Sequence, residues 1–132
     1  MGMKWDECAI VDDNKFDRLI CERIVTRINP EIIVRNFIHG KEMIDYLLSD
    51  SFQVSNLLIL LDINMPIMNG YEFLDELTKE EFAHFHDRIS IVIITSSTRR
   101  EDYEKTIKYQ SVLSCLQKPL RLETLRNLME TD

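Results

Sequence analysis

Two hydrophobic rhythms alternate along this chain. Short apolar runs of strand length occur at "ECAIV" (7–11), "EIIVRNF" (31–37), "LLILL" (57–61), "ISIVIITS" (89–96) and "VLSCLQ" (112–117). Between them lie longer stretches with helical spacing. Phe16, Leu19, Ile20, Ile24 and Ile28 mark the first, which "NP" at 29–30 stops. "GKEMIDYLLSD" (40–50) and "YEFLDELTKEEF" (71–82) predict a second and a third helix, and the more polar "RREDYEKTIKYQ" (99–110) a fourth. In the fifth, "LETLRNLME" (122–130), Leu122, Leu125, Leu128 and Met129 share one side. The runs at 57–61 and 89–96 carry no polar alternation, as expected of strands buried on both faces. Five strands alternating with five helices predict an α/β fold: a doubly wound, five-stranded parallel sheet with helices on both faces. No linker, repeat or low-complexity segment divides the chain. The expectation is a single domain over 1–132, with no output domain.

Open parallel sheets bind ligands beyond the carboxyl ends of their strands. The first strand ends there in Asp12 and Asp13, the third in Asp62, the fourth in Thr95 and Ser96, and the fifth in Lys118. Three carboxylates at one sheet edge repel one another unless a cation sits among them. Mg²⁺, a hard ion that takes carboxylate, water and phosphate oxygens, suits such a set. Lys118 adds positive charge and Thr95 a hydroxyl donor. A carboxylate nucleophile, a metal, a lysine and a hydroxyl together make a phosphoryl-transfer site, with Asp62 attacking phosphorus. Plainer readings exist for each residue. Asp12 and Asp13 suit a helix N-cap, although a cap needs only one acid. Lys118 alone would be a surface lysine, and Thr95 alone a buried β-branched residue.

With "VDDN", "LLDINMPIMNG", "IVIITSS" and "QKPL" falling in order at strand ends, the chain resembles the receiver domain of two-component response regulators, in particular the stand-alone chemotaxis-Y type. The resemblance covers essentially the whole chain and implies the flavodoxin-like strand order 2-1-3-4-5. It implies that Asp62 is the phosphoacceptor. Asp13 would bind Mg²⁺ directly, Asp12 mainly through water, and the Asn64 backbone carbonyl would be a further ligand. Thr95 would be the switch hydroxyl and Lys118 the phosphate-binding lysine, with a cis Lys118–Pro119 bond. It also implies a histidine kinase or phosphotransfer protein as donor and a downstream protein target. One position departs from the pattern: three residues before the lysine, where the family carries Tyr or Phe, stands Cys115.

Composition narrows the alternatives. A chain of 132 residues with 45% hydrophobic and 30% charged residues, only three Gly and three Pro, is an ordinary globular domain. Its net charge of −7 argues against a nucleic-acid partner. Three cysteines without metal spacing read as reduced thiols of a cytoplasmic protein, a monomer or weak dimer. No apolar stretch has the length of a membrane span. The opening "MG" lacks the Ser or Thr an acylation signal needs, since that position is Asp6. His84 and His86, flanking Phe85, lack the companions of a zinc site and read as solvated loop residues. Two other functions compete. A haloacid-dehalogenase-type phosphatase would need an acid two residues beyond Asp62, where Asn64 stands. A receiver-like docking module without phosphorylation would not need the complete set of acids, Thr and Lys.

Overall fold

The computed structural model describes residues 4–130; the Met1-Gly2 start lies outside the described residues. The elements run β1 (Glu7–Val11), α1 (Lys15–Ile28), β2 (Ile33–Phe37), α2 (Gly40–Leu47), β3 (Leu57–Leu61) and α3 (Gly70–Leu77). A 3₁₀ segment (Glu80–Arg88), β4 (Ile89–Thr95), α4 (Arg100–Ile107), β5 (Val112–Gln117) and α5 (Leu122–Glu130) follow. All strands pair in parallel in the order β2-β1-β3-β4-β5, the expected topology.

Alternate residues of each central strand serve opposite faces, so the unbroken apolar runs fill two cores. Ala9, Val11, Leu57, Ile59, Leu61, Ile91 and Ile93 pack with Met43, Leu47, Phe73 and Leu74 of α2 and α3. Cys8, Ile10, Leu58, Leu60, Val92 and Ile94 pack with Cys21, Val25, Leu125 and Met129 of α1 and α5. The apolar residues that reveal α1 in the sequence match its buried face only in part, with Ile24 and Ile28 packed half-buried against the second core. Cys21 and Val25 face the core, whereas Phe16, Leu19 and Ile20 are exposed.

The helices at 71–82, 40–50 and 99–110 are shorter than their patterns predict. α3 ends at Leu77, because the chain beyond tightens to three residues per turn. That spacing puts Phe82 and Phe85 on one side, where both are buried and Phe85 meets Phe52 edge-on. Within this segment His84 is exposed, while His86 is half-buried against the Leu77 carbonyl oxygen at 3.0 Å. α2 stops at Leu47, where the Ser49 hydroxyl donates to the Tyr46 carbonyl and draws the chain into a turn. α4 stops at Ile107, followed by a turn in which the Tyr109 N–H bonds the Thr106 carbonyl. β2 is an exposed edge strand and begins at Ile33, because the Ile32 N–H turns back to the Asn29 carbonyl.

Register places the strand ends side by side. Val11 pairs with Leu61, and the ladder extends one residue further as the Asp62 N–H donates to the Val11 carbonyl at 2.9 Å. The Asp12 N–H likewise continues to the Phe37 carbonyl at 3.0 Å. Thr95 pairs with Gln117, and the Lys118 N–H donates to the Thr95 carbonyl at 2.7 Å.

Candidate functional site

The strand ends gather Asp12, Asp13 and Asp62 so closely that one carboxylate oxygen from each lies within 4.8 Å of the others. Asp12 and Asp62 are buried and Asp13 is exposed. Neither acid of the pair caps α1. That role falls to Asn14, whose side-chain oxygen accepts from the Phe16 and Asp17 N–H groups at 2.9 and 3.0 Å. Asp12 instead accepts from the Asn14 N–H at 2.9 Å, and Arg18 holds the Asp12 carbonyl at 2.8 Å. Asp12 is therefore fixed by the chain around it, and both acids are left free of capping duty.

Burial, and then the negative charge of Asp12, push the Asp62 carboxyl up to about 6, only partly countered by Lys118. A site that raises a carboxyl in this way would gain from a bound cation. Three convergent oxygen ligands at the rim of a sheet, with one acid open to solvent, fit a divalent hard ion such as Mg²⁺ that keeps several waters.

Lys118 enters from the other side. Its ammonium lies 2.8 Å from Asp17, 3.0 Å from Asp12 and 3.4 Å from Asp62. Burial disfavours the ammonium, but bonds to Asp17 and Asp12 and the charge of Asp62 outweigh it, so its pKa stands above the usual lysine value. The Lys118–Pro119 bond is cis, as the resemblance implies.

Thr95 is buried, and its hydroxyl oxygen accepts from the Ser97 N–H at 3.1 Å, which leaves its proton available to another acceptor. Beyond it a polar network ties the loop after β4 to three elements. The Ser97 hydroxyl donates to Asp102 at 2.6 Å, Tyr71 of α3 donates to the same carboxylate at 3.1 Å, and Gln117 donates to the Ser97 carbonyl at 3.1 Å. The Ser97 and Arg99 bonds hold the Asp102 carboxyl below its ordinary value. A cavity of about 260 Å³ between Asn64, Tyr71, Thr95 and Asp102 opens beside this network. Asn64, expected to offer a backbone carbonyl to the metal, thus stands at the rim next to Thr95.

The "MPIMNG" turn that follows Asp62 is locked in place. The Met68 N–H closes on the Pro66 carbonyl at 2.7 Å, with Ile67 between them at a positive φ of 66°. The Gly70 N–H then returns to the Ile63 carbonyl at 2.8 Å. A Cβ on Gly70 would lie 2.7 Å from the Asp62 carbonyl oxygen and 2.8 Å from the Ile63 Cα, so only glycine lets α3 start this close. Asn69 and Glu72 form a capping box that fixes that start.

Cys115, at the one position that departs from the pattern, is half-buried on β5, and burial raises its thiol. Between α4 and β5 the small side chain leaves a groove of about 580 Å³, lined by Thr95, Tyr103, Ile107, Cys115 and Gln117 among others. Sequence reasoning missed Asp17, Tyr71, Ser97 and Asp102. Asp17 reads as an ordinary first-turn acid, and the other three are brought together only by the packing of α3, β4 and α4.

Comparison with known proteins agrees with this geometry. The family model described as the response regulator receiver domain matches residues 8–130. A probable methanogenesis regulatory protein, FilR2, of Methanothrix harundinacea is 28% identical over 123 residues, covering 92% of this chain and 77% of that protein. A two component response regulator from Cytophaga hutchinsonii superposes with a TM-score of 0.81 at 24% identity, covering 95% of this chain and 94% of that one. A response regulator receiver protein from Dyadobacter fermentans gives 0.78 at 29% identity, with 94% of each chain covered.

Proposed function

This chain belongs to the response regulator receiver family, and from that membership we propose that Asp62 takes a phosphoryl group from a histidine kinase or phosphotransfer protein and so switches a protein-binding surface. The observation that supports this most is the convergence of Asp12, Asp13 and Asp62 beside the Lys118 ammonium. The fold and its acid cluster fit a self-phosphorylating signalling module rather than a conventional enzyme.

In this reading an Asp62 carboxylate oxygen attacks the donor phosphorus as the donor nitrogen leaves, giving an acyl phosphate. Asp12, Asp13, Asp62 and the Asn64 carbonyl would hold Mg²⁺, which supplies charge neutralisation at the phosphoryl oxygens. Lys118 donates to a phosphoryl oxygen and holds it in line. The Thr95 hydroxyl donates to another, turning from the Ser97 side toward Asp62 and drawing the loop after β4 with it. That loop carries Ser97, so its movement strains the Ser97 bonds to Asp102 and Gln117, disturbs Asp102 where Tyr71 also holds it, and shifts α4 against β5. The exposed apolar face of α1, with Phe16 at 73% and Leu19 at 46% exposure, adjoins the site and suits docking of the donor. No described helix is long and apolar enough to cross a membrane.

Incubation with acetyl phosphate and Mg²⁺, followed by intact-mass and free-phosphate measurements, tests the reading. A receiver retains a labile phosphoryl group. A phosphatase of the dehalogenase type would release phosphate without retaining it, and a docking module would do neither.

A further inference from the structure

Lys118 makes its shortest ion pair to an acid outside the metal-binding cluster. Asp17, in the first turn of α1, lies 2.8 Å from the ammonium, against 3.0 Å for Asp12 and 3.4 Å for Asp62. An ammonium has three N–H donors, so these three acids can occupy all of them. Asp12 and Asp62 also belong to the set whose oxygens converge for a cation, and Asp17 does not. Asp17 is therefore the one of the three whose hold on the lysine would not compete with a bound cation.

The surrounding packing restrains the same side chain. Asp17, Ile20 and Cys21 of α1 face Lys118, Pro119 and Leu120 across a gap of only about 20 Å³. The lysine stem therefore has little room for another rotamer on that side, and the Asp17 carboxylate fixes where its tip ends.

We propose that Asp17 is a positioning residue that holds the Lys118 ammonium beside Asp62 for contact with the incoming phosphoryl group. This rests on the reading of Asp62 as phosphoacceptor and adds a determinant that acts through Lys118. A phosphoryl oxygen would take over the donor now aimed at Asp62, the longest of the three contacts, while the Asp17 bond persists. Without Asp17, Lys118 loses its strongest anchor, and the oxygen it should meet is bound by a less ordered cation.

Calorimetric titration of beryllofluoride at saturating Mg²⁺ tests this, with Mg²⁺ alone titrated in parallel and thermal unfolding as a control. Wild type, Asp17→Leu and Asp17→Asn are compared. Asp17→Leu should bind beryllofluoride roughly tenfold more weakly, the scale of one hydrogen bond to a charged group, while Mg²⁺ affinity changes much less. Asp17→Asn keeps an acceptor oxygen at the same place and should recover part of the loss, retaining a deficit of about threefold. If Asp17→Leu does not fold, the Asn variant decides. Wild-type beryllofluoride affinity in either folded variant, or parallel losses for Mg²⁺ and beryllofluoride, overturns the positioning role. Failure of wild type itself to bind beryllofluoride would instead overturn the phosphoacceptor reading.

Discussion

Asp62→Asn should make the metal-free protein more stable at neutral pH, and only there. Burial and the Asp12 charge raise the Asp62 carboxyl to about 6 in the folded state. In the unfolded chain it titrates near 3.9. Between these values the folded state binds more protons than the unfolded one, so stability falls as pH rises through that window. Below about pH 4 Asp62 is neutral when folded and imposes no such penalty. Above about pH 6 the ionised group costs roughly 2 to 3 kcal/mol, since each tenfold change in proton affinity is worth about 1.4 kcal/mol. An amide of the same shape removes that cost. For a domain of this size the gain corresponds to a rise in melting temperature of roughly 6 to 12 °C. Trp5 is the single tryptophan and is buried in the core between the sheet and α1 and α5, so its fluorescence follows unfolding directly. Urea titrations of both proteins at pH 4 and pH 7.5, with chelator present, supply the comparison. Saturating Mg²⁺ should then narrow the gap at pH 7.5, because the cation binds the folded wild type more tightly than the variant. A variant less stable than wild type at pH 7.5, or equally stabilised at both pH values, would refute the reasoning.

Three further outcomes follow from the same geometry. Asp13→Ala should weaken Mg²⁺ binding by about tenfold or more in calorimetry while leaving stability nearly unchanged, because Asp13 is exposed. Gly70→Ala should destabilise the fold by about 1 to 3 kcal/mol in urea titrations and slow phosphoryl uptake from acetyl phosphate, since the new Cβ meets the Asp62 and Ile63 backbone. Hydrogen exchange with and without beryllofluoride should show a changed loop 96–102 in wild type and Cys115→Ala, and no such change in Thr95→Ala. Loss of the response in Cys115→Ala alone would place the coupling on β5.

The sheet and its site were legible because each rests on residues that the backbone alone brings together. An apolar run buried on both faces has one use in a domain of this size, and a polar residue just beyond it must lie at the sheet edge. Hence Asp12, Asp62, Thr95 and Lys118 could be placed before any packing was known. Helix ends were less legible. The pattern through Phe82 continues that of α3, but the chain there is a 3₁₀ segment that seats Phe85 against Phe52 and Phe82 against Phe85. The hydrophobic positions of α1 show its buried face only in part, because Cys21 and Val25 lie deepest and Ile24 and Ile28 pack beside them while Phe16 and Leu19 remain outside. Asp17 and Asp102 were illegible for another reason. Each lies in the first turn of a helix, where an acid already has a local explanation in the helix dipole, and the partner that matters, Lys118 for Asp17 and Tyr71 for Asp102, is distant in sequence.

The central claim is that Asp62 carries the phosphoryl group, and locating that group on the chain tests it most directly. After exposure to a phosphorylated histidine kinase or acetyl phosphate with Mg²⁺, peptide mapping by mass spectrometry should place one hydroxylamine-sensitive phosphoryl group on Asp62, and Asp62→Asn should carry none. A phosphoryl group on Asp12, Asp13 or a hydroxyl side chain, or wild-type incorporation in Asp62→Asn, would contradict the account.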